Sequence, residues 1–205
     1  MKKDYPPQIA QIVANLDTRQ PLPPLTPKEP WKRKLTETLQ TMPLTNLLGN
    51  QTLKNSSLEN TVKIGLLIWN DALDEAHRIL QEIDTKTGDY WHAIVHRREP
   101  DYENSKYWFN RVGNHPVYPF LRKQMLGLLK KHSLESNELA SYETTIQDGH
   151  NWEAAQFVDW CESVTQDSKI EVIHFLQRGQ VEEIKLLLDY SFQNALTLSS
   201  STSET

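Results

Sequence analysis

The sequence predicts an all-α protein: a single antiparallel, bundle-like helical domain preceded by an extended, proline-rich N-terminal arm. Three observations carry this expectation. Apolar residues recur at helical spacing through most of the chain beyond residue 57. Glycine is scarce, with seven in 205 residues, fewer than a turn-rich β architecture needs. Eight of the eleven prolines fall in the first 45 residues, which leaves the rest of the chain nearly free of helix breakers. The length suits one buried core, so the chain divides into an arm over residues 1–45, a helical domain over 46–198 and a disordered polar tail over 199–205.

Taken in order, Pro21, Pro23, Pro24, Pro27 and Pro30 cannot share a helix, because each removes an N–H donor and restrains its neighbour. Residues 1–30 therefore read as extended chain that either wraps the domain or stays mobile. Trp31 to Met42 reads as a short helix with Pro30 near its first turn, and Asn46 to Ser57 as a polar loop. Leu58 to Ile83 reads as one long core helix, since Ile68, Ala72, Leu73, Ala76, Ile79, Leu80 and Ile83 fall on one stripe with Trp69. A second main helix spans about Asp89 to Glu99 and stops near Pro100. A third runs from Tyr102, with Asp101 placed to cap it, to Val112, where Gly113 and Pro116 close it. Further helical patterns cover Pro119 to Lys131, Glu135 to Gln147, Trp152 to Val164 and Ile170 to Leu196, the last interrupted around Gly179.

Charge and cysteine content narrow the function classes. The net charge of −5 divides into +4 over residues 1–56 and −9 over the remainder, and an acidic main domain disfavours binding along a nucleic-acid backbone. A lone Cys161 between Trp160 and Glu162 reads as a core residue in a reducing compartment rather than a reactive thiol. The chain opens without an apolar signal segment, and its best apolar run, Gly65 to Trp69, is far too short to span a bilayer, so no membrane partner and a cytoplasmic location are expected. No Gly-x-Ser-x-Gly, Walker-type or dinucleotide fingerprint occurs.

The chemically dense segment is Tyr90 to His115, which holds three of the seven histidines and six of the eighteen aromatic residues. With His92 at 0° on a helix, His96 lies at about 40° and Glu99 at about 340°, so all three share one face. Two imidazoles one turn apart with a carboxylate beyond them match metal-ligand spacing, and equally an acid–base pair with its orienting group. His77, at the edge of the preceding helix's stripe with Asp74 beside it, supplies a second wall. The candidate metal ligands are thus His77, His92, His96 and Glu99 for one divalent ion, and the candidate catalytic groups His92, His96 and Glu99. Arg98 falls in the middle of the apolar face, where a permanent charge requires either a buried carboxylate partner or a polar cavity. Arg97 falls on the side expected to be exposed. Arg98, Tyr107, Arg111 and His115 complete the set as groups that would orient an anionic or polyhydroxylated substrate.

The residues Trp91-His92-Ala93-Ile94, His96-Arg97-Arg98-Glu99-Pro100-Asp101-Tyr102, Asn104, Lys106-Tyr107-Trp108-Phe109, Arg111-Val112-Gly113 and His115-Pro116 resemble the signature of a family of bacterial and fungal proteins of undefined activity. Phe157-Val158-Asp159-Trp160-Cys161-Glu162 and Leu187-Leu188-Asp189-Tyr190 resemble its weaker C-terminal marks. The resemblance spans roughly Val62 to Gln193 and implies no reaction or cofactor. Two function classes follow from the residues themselves: a small-molecule pocket, metal-dependent or acid–base, and a helical interaction module whose polar cluster is structural. A small ligand or a second copy of the chain is an admissible partner.

Overall fold

The computed structural model describes residues 5–48, 56–132 and 136–195, and the expected tail and much of the expected polar loop lie outside these ranges. Among the described residues the chain forms eleven α-helices and no strand: α1 (Pro7–Asp17), α2 (Arg33–Thr41), α3 (Leu44–Leu48), α4 (Ser56–Trp69), α5 (Leu73–Leu80), α6 (Lys86–Arg98), α7 (Tyr102–Val112), α8 (Tyr118–His132), α9 (Asn137–Asp148), α10 (Ala154–Glu162) and α11 (Ile170–Ala195). The expected all-α class holds. No helix among these residues is long and apolar enough to cross a membrane.

Helix α6 occupies the centre, and every residue from Thr87 to Arg98 is buried. Its start is fixed by Thr85, whose hydroxyl accepts a hydrogen bond from the Gly88 amide at 3.0 Å. One face meets α4, where Trp91 lies so close that a Cβ on Gly65 would sit 2.8 Å from its ring. The Trp91 indole N–H donates to Ser191 Oγ of α11 at 3.1 Å, so the buried ring leaves no donor unpaired. The other face carries α7, its most extensive neighbour, anchored by Ser105 Oγ donating to the Ala93 carbonyl at 2.8 Å.

Four expectations are corrected. The helix expected over Leu58 to Ile83 is two helices, α4 and α5, broken at Asn70 and Asp71. Asp71 takes a left-handed φ of 63°, and short polar side chains tolerate that conformation best after glycine. The break is stabilised from outside: Asn70 pairs with the backbone of Lys32 and with Thr36, and Asp71 binds both Arg19 and Arg98. Conversely, α11 runs uninterrupted through Gly179. That residue is a contact point for α8, since a Cβ there would lie 2.5 Å from Met125 Cε. The arm is not wholly extended, because α1 buries Ile9 and Leu16 before the proline-rich stretch begins. Asp101 occupies the N-cap position of α7 without a side-chain capping bond.

The irregular stretch after α1 wraps the domain. The Pro24 carbonyl accepts from Arg98 at 3.2 Å and from Gln180 at 3.3 Å, and Arg19 pairs with Asp71 at 2.6 Å. On α11, Lys185 reaches Asp17 at 2.8 Å and Asp189 accepts from the Tyr5 hydroxyl.

Candidate functional site

An open cleft of about 600 Å³ lies between α5, α6 and α7. Helix α5 contributes His77 and Leu80; α6 contributes Asp89, His92 and His96; α7 contributes Asn104, Trp108 and Arg111; and the α5–α6 connection adds Gln81, Glu82, Ile83 and Asp84. The helical period explains the grouping. Asp89, His92 and His96 follow at three- and four-residue intervals, as do Asn104, Trp108 and Arg111, so each helix turns one polar face to the cleft.

The three imidazoles come together as the sequence predicts. The ring of His77 meets those of His92 and His96 edge-on, with centroids 5.3 and 4.9 Å away. His92 also lies flat on Trp108, centroids 4.2 Å apart at 8°. Burial pushes the His92 pKa down to about 4, with His77, His96 and Arg111 adding in the same direction. Burial also lowers His96, again assisted by His77, while Asp101 opposes the shift. Both rings are therefore neutral near pH 7 and available to accept a proton.

Glu99 at the C-terminus of α6 lies between two of these rings. Its Oε1 is 3.8 Å from His77 Nδ1 and its Oε2 3.6 Å from His96 Nδ1, while Asp101 Oδ2 is also 3.6 Å from that nitrogen. Burial raises the Glu99 pKa; His77 opposes this, and Asp74 and Asp101 add to it. The Asn104 amide nitrogen lies 3.4 Å from His96 Nδ1 and 3.3 Å from its Nε2, and donates to Asp101 Oδ2 at 3.2 Å.

For the metal expectation, proximity and ligand geometry must be separated. His77, His92, His96 and Glu99 are neighbours, yet no group of three or more His, Cys, Asp or Glu among the described residues is arranged to hold an ion. The rings of His92 and His96 are stacked at 10° with centroids 6.1 Å apart.

The four residues expected to orient a substrate separate. Arg111 lines the cleft; its Nε is 3.3 Å from Asp89 Oδ2, a terminal nitrogen is 3.7 Å from Asp84, and its guanidinium lies 4.8 Å from the Trp108 ring centroid. Tyr107 is 55% exposed and is not among the cleft-lining residues; its ring meets that of Trp108 edge-on, centroids 5.7 Å apart. Arg98 does not face the cleft: it is fully buried, paired with Asp71 and donating to the Ile68 and Pro24 carbonyls, so its charge is matched structurally. His115 is not at the mouth either. It is buried against Tyr90 and Tyr190, with Nδ1 accepting from the Val117 amide at 3.3 Å. Arg97 is corrected as well; it is 1% exposed, paired with Glu183 of α11 and lying over Phe157. Cys161 is buried, which pushes its thiol up to about 12 and leaves it unreactive.

The residues read from the sequence as a site did not include Asp89, Asn104 or Trp108, all of which line the cleft. Asp89 lay three residues before His92 on the same face, a legible signal. The Trp108 ring packs on His92 while lining the cleft. Comparison of the chain with family models, with curated proteins and with solved structures finds no match in any of the three.

Proposed function

We propose that the cleft between α5, α6 and α7 binds a small polar molecule, on which His77 and His96 act as proton-transfer groups. One observation carries this reading: the single carboxylate of Glu99 lies between imidazoles from two different helices, and both rings line the same open cleft. A carboxylate beside one ring nitrogen favours the tautomer protonated there and leaves the opposite nitrogen as the base. The lowered pKa of His96 supports the neutral, proton-accepting form. Trp108, Leu80 and Ile83 supply apolar contact surface, and Asn104 and Asp89 supply polar groups that fix orientation.

Ligand-observed NMR with a panel of small amines, amides, sugars and carboxylates tests the reading. Compounds that bind the wild-type protein should lose contact in His96→Gln and His77→Gln, with melting temperatures of both variants within a few degrees of wild type. Binding retained in both variants, or no binding by the wild-type protein, would overturn it. A large loss of stability in both variants would instead identify the cluster as a structural network.

A further inference from the structure

We infer that the ligand of this cleft is a small organic cation carrying N–H donors, of the alkylamine or alkylguanidinium class. The inference rests on the cleft being a ligand site, as proposed above, and commits it to one charge type. Three carboxylates, Glu82, Asp84 and Asp89, line the cleft against a single guanidinium, that of Arg111. Arg111 is already engaged by Asp89 and Asp84. Glu99 and Asp101 add negative charge beside His96. An anion entering here meets no uncommitted positive charge, whereas a cation is drawn in by the summed field.

A second, independent observation points the same way. The Asp89 side chain is 9% exposed, and its Oδ1 has no hydrogen-bond partner among the described residues. A buried carboxylate oxygen lacking a donor is costly, and Asp89 lines the cleft, so an N–H donor entering there can supply the missing bond. Arg111 itself displays the recognition chemistry: a guanidinium held by two carboxylates over an indole ring. The imidazoles of His92 and His96 add no charge near pH 7, because burial holds both neutral.

Isothermal titration of the full chain with agmatine, in parallel with inorganic phosphate, decides the point. Agmatine should bind and phosphate should not. Asp89→Asn should weaken agmatine binding by about tenfold or more, as expected when a charged partner of a buried hydrogen bond is neutralised. If Asp89→Asn fails to fold by circular dichroism, the doubly substituted Glu82→Gln, Asp84→Asn protein serves instead; these exposed carboxylates should account for a roughly two- to fivefold loss that shrinks with added salt. Phosphate binding, absence of agmatine binding, or agmatine binding unchanged in the folded variants would overturn the inference. Phosphate binding that is lost in His96→Gln would remove the cation and leave the ligand site standing. Absence of binding to any compound of the NMR panel would remove both.

Discussion

Arg97 and Glu183 form a buried pair joining α6 to α11, and Glu183 also accepts from the Tyr90 hydroxyl at 3.0 Å. Replacing Glu183 by Gln leaves a guanidinium without its counter-charge in the core. The expected cost is about 3–5 kcal/mol, measured as a fall in the urea unfolding midpoint at constant slope. Replacing both partners, with Arg97→Met and Glu183→Leu, should cost much less than the single change, because no charge remains to be solvated. His115 sets a pH limit of its own. Burial, assisted by the charge of Lys86, lowers its pKa to about 4 from the ordinary 6.5. The unfolded chain therefore binds a proton before the folded one does. This contribution to stability is complete above about pH 6.5 and is lost as pH falls towards 4. His92, also lowered to about 4, acts in the same sense. Each group is expected to account for on the order of 2–3 kcal/mol, and His115→Phe should flatten that part of a stability profile recorded between pH 7 and pH 4.

The helices that define the cleft show what a sequence does and does not disclose. The bounds of α7 were legible because Pro100 and Gly113 punctuate it. The shared face of His92 and His96 was legible because a helix converts spacing into direction without reference to neighbours. The break between α4 and α5 was obscured by an apolar stripe that continues through it, and the clue was two polar residues, Asn70 and Asp71, at positions that become 0% and 4% exposed. Arg97 was placed on the wrong side of the surface because its partner lies 86 residues away on α11, a separation that no local pattern encodes. Glu183 was detectable only as a carboxylate in line with Leu176 and Leu187 on an apolar face. At the α4–α6 crossing, Gly65→Ala should cost about 1–3 kcal/mol by overpacking, since the added Cβ would sit 2.8 Å from the Trp91 ring and 3.0 Å from Leu188 Cδ1, both buried. The loss is read from thermal unfolding monitored by tryptophan fluorescence, with Thr85→Ala as a reference whose lost cap costs about 1 kcal/mol.

At the scale of the whole molecule, one core runs from α1 to α11 and includes Ile9 and Leu16 from the N-terminal segment. Removing residues 1–30 would strip Arg19 from Asp71 and the Pro24 carbonyl from Arg98 and Gln180. The shortened chain should lose several kcal/mol in urea unfolding and show faster amide exchange in α4 and at the C-terminal end of α6, with little change in α9 and α10. The position of these contacts also bears on how the chain assembles. Asp17 and Tyr5 bind residues 168 and 184 positions further on, whereas Asp71, the anchor for Arg19, is complete once α6 has delivered Arg98. A nascent chain therefore exposes its first helix long before α11 has been synthesised. Its main packing partners, α3 and α4, follow it closely in the chain, so most of that packing can form early and only the Tyr5 and Asp17 contacts must await α11.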